Sequence, residues 1–247
     1  MCSFFVATNT FTGFVLITSL YNEKIQKRLK EYIYCLEKNC AHGLIDEVHV
    51  IYDTSKDTPS KNKLLTYLKD KDLKIKYIKG RPSYGFCFDL ANTLYPDRGI
   101  ILSNADIYFD ETLHTLEGYD LTNKFLALTR WEKDKNLTLN PYQKSKKGVV
   151  YHKNCSQDSW IFTTPIKMFP RYCSISLGTP GCDNSLAYVV WKKGLHIINP
   201  CLTIKCHHKH DSGIKHYSKE RIYSEKKAVR IPFTKLNLRK YPLPIPY

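Results

Sequence analysis

The sequence predicts an α/β protein with a largely parallel central sheet flanked by helices. Short apolar segments of strand character alternate with helical patterns from residue 14 to residue 110, as in a sheet built with right-handed crossovers. One of these strand patterns ends in a group of acids, within the stretch ILSNADIYFDETL at 101–113. Open α/β sheets bind ligands at the carboxyl ends of their strands, so the same stretch predicts a site.

The elements of the first half follow from the spacing of its apolar residues. The segment FVLITS at 14–19 is a buried strand pattern, and Ile25, Leu29, Ile33 and Leu36 then recur at helical spacing. The same two patterns continue along this half, with strands predicted at 45–53, 73–78 and 99–107 and helices around 64–68 and 84–94.

The second half has mixed, less regular patterns. Strands are predicted at 124–131, 158–166, 195–200 and 202–208, and a helix at 184–193 after the glycine- and proline-containing loop 176–184. We expect one catalytic domain at 1–222, divided into a nucleotide-binding half at 14–110 and a second-substrate half at 111–222, and then a basic tail at 223–247. The motifs G-x-G-x-x-G and G-x-x-x-x-G-K-[ST] are absent, which argues against a dinucleotide oxidoreductase or a P-loop NTPase.

Composition narrows the partners and the compartment. The 247 residues are 43% apolar, enough for one large core, and the formal charge of +15 calls for an anionic partner: a nucleic acid, a membrane surface or a phosphorylated small molecule. No apolar run reaches the roughly 18 residues of a membrane span, and no signal peptide is evident. With nine cysteines, an odd number, we expect reduced, mostly buried thiols and a cytoplasmic protein.

The acids that end the fourth strand pattern suit a hard metal ion. Asn104, Asp106 and Asp110 supply oxygen ligands of the kind that Mg²⁺ or Mn²⁺ uses when it binds a diphosphate. The alternative is a strand-end turn in which Asp110 caps a helix. Spacing alone does not separate the two interpretations.

Three polar segments of the second half add further candidates. Asp158 lies at the start of an apolar strand pattern, as either a turn residue or a group facing a cleft, and Asp183 lies near a helix start, where a simple helix cap is the alternative. The segment KCHHKHDS contains His207, His208 and His210. We favour one of these histidines completing the metal shell of Asp106 over a structural zinc site with Cys206 and Cys182, because no C-x-x-C pair is present.

These segments, taken in order, resemble the GT-A fold glycosyltransferases. The NAD motif at a strand end, the strand with QD-x-W, the loop G-x-P-G-C-D-N before a helix and the late H-x-H-x-S are together similar to that family over residues 14 to 222. The likeness is greatest to a small group from bacteria and large DNA viruses that includes a chlorella-virus capsid glycosyltransferase domain. If the chain is viral, its compartment is the host cytoplasm.

The resemblance implies roles for individual residues. Asp106 and His208 or His210 bind Mn²⁺ or Mg²⁺, although Asn-Ala-Asp stands where many members have Asp-x-Asp. Asp183 corresponds to the base of inverting members, and Asp158 is the rival base. The predicted donor-binding residues are Ser19, Asp53, Arg81, Tyr84, Asn104, Ala105 and Asp106. The likeness to the related group implies that Arg81 and Tyr84 face the nucleotide.

The resemblance therefore implies transfer of a sugar from a nucleoside diphosphate donor, UDP in the first instance, to a hydroxyl of a glycan or glycoprotein. Two other functions stay open. The charge, the 18 tyrosines and the basic tail are compatible with a nucleic-acid-binding protein. A nucleotidyltransferase would also place a metal and a nucleotide at this strand end.

Overall fold

The computed structural model describes residues 12–57, 62–132, 142–144, 150–152, 156–167, 174–214 and 227–246. Its strands are β1 (Phe14–Tyr21), β2 (Ile45–Asp53), β3 (Lys74–Ile78), β4 (Gly99–Ser103), β5 (Ile107–Phe109), β6 (Lys124–Leu128), β7 (Trp131–Glu132), β8 (Tyr142–Lys144), β9 (Val150–His152), β10 (Ser159–Thr163), β11 (His196–Ile198), β12 (Cys206–His208), β13 (Val229–Arg230) and β14 (Ile245–Pro246). Its α-helices are α1 (Gln26–Cys40), α2 (Lys63–Asp70), α3 (Tyr84–Leu94) and α4 (Cys182–Lys192). Two short 3₁₀ helices lie at Thr54–Lys56 and Glu111–Leu116.

The central sheet has seven strands in the order β11-β6-β10-β4-β1-β2-β3. All its neighbouring strands pair in parallel except for β10, which is antiparallel to both β4 and β6. This confirms the predicted α/β class with a mostly parallel sheet. The parallel part, β3-β2-β1-β4, belongs to the first half of the chain, and the mixed part to the second.

Helices cover both faces of this sheet, and the alternation of side chains along β1 shows how. Leu16 packs in one buried cluster with Leu29 of α1, whereas Val15 packs in a second cluster with Phe88 of α3. Successive residues of a strand point to opposite faces. A strand buried on both faces must therefore be apolar throughout, which is why the FVLI segment of β1 has no polar residue.

The predicted strand at 99–107 is in fact two strands in different sheets. β4 ends at Ser103, residues 104–106 turn, and β5 joins a small three-stranded sheet of order β5-β12-β7. Backbone hydrogen bonds fix the turn: the amide of Asn104 donates to the carbonyl of Asp158 at 2.9 Å, and the amide of Ile107 donates to the carbonyl of Asn104 at 3.2 Å. The chain thus leaves the central sheet at the acidic motif.

The described part of the C-terminal segment packs against the core. β13 pairs with β14, and both Val229 and Ile231 are buried in the cluster that contains α3 and α4 residues. The domain boundary near residue 222 stays a prediction. Within the described residues, no helix is long and apolar enough to cross a membrane. The six described cysteines are free thiols, and five of them are buried.

Candidate active site

A cleft of about 1390 Å³ opens at the carboxyl ends of the parallel strands. It is lined by Ser19 of β1, by Asp53 of β2 and by Ser103 of β4, and the turn after β4 forms part of its floor. Residues of the second half close the other side, among them Asp158 and Asp183. The location agrees with the general placement of ligands in open α/β sheets.

Asp106, His208 and His210 come together in this cleft, and their ligand atoms lie within 4.8 Å of one another. Nε2 of His208 is 3.2 Å from Oδ2 of Asp106, and Nδ1 of His210 is 3.9 Å from the same oxygen. Strand register explains the approach, because β12 pairs antiparallel with β5 so that His208 lies opposite Ile107, the residue after Asp106. His207 points to the other face of β12 and contacts Asp110 at 2.7 Å.

His210 is the most unusual member of the cluster. Its ring stacks on that of His208 with a centroid distance of 5.0 Å. Both of its ring nitrogens are buried, and neither has a hydrogen-bond partner among the residues that the structure describes. A buried polar group without a hydrogen bond is costly, and an imidazole in this state has ring nitrogens available to a ligand in the cleft. A carboxylate and two imidazoles form a chemically reasonable donor set for a divalent cation.

The charged groups around Asp106 shift one another's pKa. Burial would raise the pKa of this carboxyl group, but the neighbouring imidazoles of His208 and His210 and the charge of Arg28 lower it well below its usual range. Burial likewise disfavours the charged form of His208, yet Asp106 and Glu132 raise the pKa of the imidazole to about 9. A metal ion that uses His208 must therefore displace a proton.

An ion-pair chain connects this cluster to the second candidate base. Nδ1 of His208 is 2.8 Å from Glu132, Arg130 binds Glu132 at 2.7 Å, and Arg130 also binds Oδ1 of Asp158 at 2.9 Å. Nδ2 of the Asn104 side chain donates to the same Asp158 oxygen at 3.1 Å. Oδ2 of Asp158 is buried and has no hydrogen-bond partner within the described residues. Asn104 thus contacts Asp158 through both its backbone and its side chain.

Asp183 lies in the first turn of α4, where a glycine shapes the entry to the helix. Gly181 is the N-cap residue, with φ of 85° and no side-chain cap, a backbone conformation that favours glycine. Asp183 is therefore not the cap. Its Oδ2 instead accepts a hydrogen bond from the amide of Gln157 at 2.9 Å, and its side chain is one of those that line the cleft.

The pKa of Asp183 does not follow from its position at a helix N-terminus. A helix N-terminus alone predicts a low pKa for the carboxyl group, but Asp183 is only 8% exposed. Burial, with a smaller effect from the charge of Asp158, raises its pKa to about 7. The pKa is raised because loss of hydration outweighs the helix dipole and the backbone hydrogen bonds here.

This raised pKa predicts a pH-dependent gain in stability for Asp183→Asn. An aspartate whose pKa rises from 3.8 to about 7 on folding destabilises the native state increasingly as pH rises through that interval. Asparagine can still accept the Gln157 hydrogen bond but carries no charge. We expect the variant to gain up to about 4 kcal/mol in free energy of unfolding at pH 8, and little at pH 4.

Urea denaturation of both proteins at the two pH values measures this difference. Asp120→Asn is a control of opposite sign, because hydrogen bonds from Thr122 lower the pKa of Asp120. The ionised Asp120 side chain stabilises the native state above its unfolded pKa, and this stabilisation is lost as pH falls through its folded pKa. Asp120→Asn should therefore be less stable than the unmodified protein at pH 8. A gain for Asp183→Asn of equal size at pH 4 and pH 8 would contradict the burial argument.

The predicted donor-binding residues divide into two groups. Ser19, Asp53, Arg81 and Ala105 line the cleft, together with Asn104 and Asp106. One oxygen of Asp53 already accepts bonds from the amides of Ser55 and Gly80 at 2.8 and 2.7 Å.

Tyr84 does not line the cleft. Its ring is 1% exposed and packs edge-on against Trp160, with a centroid distance of 5.0 Å, and its hydroxyl lies 3.4 Å from Sγ of Cys182. Tyr84 is a core residue of α3, and the prediction that it faces a nucleotide was wrong. The thiol of Cys206 lies 3.6 Å from the carbonyl of Thr129. Among the described residues neither Cys206 nor Cys182 belongs to a cluster of possible metal ligands, which argues against the zinc alternative.

Sequence analysis missed Arg28, Arg130 and Glu132, all of which line the cleft. The signals are weak. Arg28 lies four residues before Tyr32 on α1, so helical spacing places it at the edge of the apolar face. Arg130 and Glu132 flank Trp131 directly after a strand pattern, and nothing local indicates that they face a histidine some 76 residues away.

Comparison with known proteins supports the fold. No protein-family model matches the chain, and no curated protein sequence matches it. Among solved structures, the mannosyltransferase PcManGT from Pyrobaculum calidifontis, in complex with GDP-Man and Mn²⁺, is 14% identical with a TM-score of 0.51 over 83% of this chain. GalNAc-T7 with UDP, GalNAc and Mn²⁺ is 12% identical with a TM-score of 0.51 over 85% of this chain.

These neighbours are glycosyltransferases of the GT-A type, and the fold of the described chain matches theirs. The chain spans 59% of the mannosyltransferase and 45% of GalNAc-T7. At these identities the likeness establishes the fold and not the activity. The narrower resemblance to the chlorella-virus group stays a prediction.

Proposed function

We propose that the protein is a metal-assisted glycosyltransferase that moves a sugar from a nucleoside diphosphate donor, a UDP-sugar in the first instance, to a hydroxyl of a glycan or glycoprotein. The observation that carries the proposal is that one cleft contains both the Asp106–His208–His210 cluster and the buried carboxyl group of Asp183. The GT-A fold supports the proposal, because the cluster lies at the carboxyl ends of the parallel strands, where open α/β sheets bind their ligands.

The donor's diphosphate has cationic partners in the cleft. Arg28, Arg81 and Arg130 all line it, and guanidinium groups form charge-assisted, often bidentate, hydrogen bonds with phosphate oxygens. Part of the net charge of +15 is thereby assigned to substrate binding rather than to a nucleic acid.

The metal would be held by Asp106, His208 and His210. Bound there, a divalent cation would neutralise the negative charge that grows on the departing nucleoside diphosphate. Glu132 orients His208, because its hydrogen bond to Nδ1 leaves Nε2 directed at Asp106. Two imidazoles are poorer ligands for Mg²⁺, which prefers oxygen, so we assign the site to Mn²⁺ in preference to Mg²⁺.

Asp183 is the proposed base for the acceptor hydroxyl. With a pKa of about 7, its carboxylate is a stronger base than an ordinary aspartate and is still about half ionised at neutral pH. Asp158 is less suitable, since its Oδ1 already accepts hydrogen bonds from Arg130 at 2.9 Å and from the Asn104 side chain at 3.1 Å. A base opposite the leaving group corresponds to an inverting displacement.

A donor screen tests the proposal. The protein is incubated with a panel of UDP-, GDP-, CDP- and dTDP-sugars in the presence of Mn²⁺, Mg²⁺ or EDTA, and the release of nucleoside diphosphate is measured. We expect slow hydrolysis of one donor that requires metal and is faster with Mn²⁺. Failure of every donor would contradict the proposal, and release of pyrophosphate from a nucleoside triphosphate and a sugar phosphate would identify a nucleotidyltransferase instead.

A further inference from the structure

Arg28 already neutralises the carboxylate that is proposed to bind the metal. Its Nη2 lies 2.5 Å from Oδ2 of Asp106, and its Nη1 lies 2.7 Å from Glu31. Its Nε donates to the hydroxyl of Tyr32 at 3.1 Å, and Nη1 also reaches the carbonyl of Lys209 at 3.3 Å. Arg28 is only 6% exposed, so this cation is fixed in place by contacts at all three guanidinium nitrogens.

The contact matters because Arg28, His208 and His210 all approach the same oxygen of Asp106. Oδ2 of Asp106 is the oxygen that faces Nε2 of His208 at 3.2 Å and Nδ1 of His210 at 3.9 Å. A divalent cation placed among these ligand atoms would therefore lie close to the guanidinium group. Glu31 offsets part of the arginine charge, but removing Arg28 would still make the site more negative by one charge.

We propose that Arg28 is a resident counter-cation of Asp106 that makes divalent-cation binding depend on the donor's diphosphate. This inference rests on the proposed function. A neighbouring arginine disfavours a proton on an aspartate by about one to three powers of ten, and the same repulsion opposes a metal ion. Without nucleotide, the two cations compete for one carboxylate.

A diphosphate removes the conflict. Arg28 lines the cleft, so phosphate oxygens bound there can accept hydrogen bonds from its guanidinium group while they also contact the metal. The metal and the nucleotide then strengthen each other's binding by the same factor, as thermodynamic linkage requires. The cleft would thus take up the metal together with the donor and hold it weakly otherwise.

Binding of Mn²⁺, followed by electron paramagnetic resonance of the free ion with and without UDP or GDP, tests the inference. For the unmodified protein we expect nucleotide to tighten Mn²⁺ binding by about tenfold or more. Arg28→Gln should bind Mn²⁺ alone about tenfold more tightly than the unmodified protein and show a smaller effect of nucleotide. Arg28→Lys retains the positive charge and should stay close to the unmodified protein.

The outcomes separate this inference from the proposed function. If Arg28→Gln is folded, as judged by circular dichroism, and binds Mn²⁺ no more tightly than the unmodified protein, the proposed role of Arg28 is overturned. Arg28 would then be a residue that only positions Asp106. Equal Mn²⁺ affinity of the unmodified protein with and without nucleotide would overturn the inference, even if the Arg28→Gln variant does not fold. Absence of Mn²⁺ binding in every sample, nucleotide included, would overturn the metal site of the proposed function itself.

Discussion

Asp106→Asn is expected to abolish metal-dependent donor turnover, with a fall in rate of roughly 10³ or more. Asparagine keeps the size and one acceptor oxygen of the side chain but removes the charge that a divalent cation needs. Calorimetry with a UDP-sugar should show that Mn²⁺ no longer increases donor affinity. Retention of a metal-dependent increase in the variant would refute the assignment of Asp106.

Alanine is the poorer substitution at this position. Arg28 is buried against Asp106, with its Nη2 2.5 Å from Oδ2. Removing one member of a buried ion pair typically costs about 3–5 kcal/mol, so Asp106→Ala should lose stability as well as metal. Asparagine retains a hydrogen-bond acceptor for the guanidinium group.

Asp110→Asn is the matched control for this experiment. Asp110 lies just after β5, is paired with His207 at 2.7 Å, and has a pKa lowered to about 2, where burial is outweighed by the hydrogen bonds from His207 and Thr112. Asp110 and His207 thus form an acid–histidine pair at the same two strands as Asp106 and His208, but Asp110 does not line the cleft. The control variant should keep metal-dependent donor binding.

Asp183→Asn is expected to lower the rate of transfer by roughly 10² or more while donor binding barely changes. The asparagine oxygen can still accept the hydrogen bond from the amide of Gln157, so the start of α4 should be preserved. The unmodified protein should lose activity as pH falls below about 7, since only the ionised carboxylate accepts the acceptor's proton. Steady-state rates at saturating donor across pH 5.5 to 8.5 measure both effects.

Asp158→Asn is the control for the choice of base. If that variant loses transfer and Asp183→Asn retains near-normal turnover, the two roles must be exchanged. If both variants turn over normally, a retaining mechanism without a protein base is the better account. Donor affinity should be measured in parallel, because Asp158 also anchors Arg130 at 2.9 Å.

The succession of strands and helices in the first half could be predicted from the sequence because its signals are local. β1 is recognisable as an apolar run, and α1 by the spacing of Leu29 and Leu36. The same patterns placed Asp106 at the end of a strand, and the rule on carboxyl ends placed it in a cleft. Residue spacing and backbone geometry suffice for inferences of this kind.

The tertiary structure decided what depends on residues distant in the chain and on burial. Arg28 meets Asp106 across 78 positions, and Glu132 meets His208 through the pairing of β7 with β12; neither contact has a local signature. Tyr84 is in the core and Asp183 has a raised pKa because surrounding elements remove water from them. The sequence by itself thus determined the class of fold and the edge of the sheet at which the cleft opens. The charge state and partners of each side chain in the cleft were decided by packing, since desolvation and Coulomb energies depend on the whole surrounding structure.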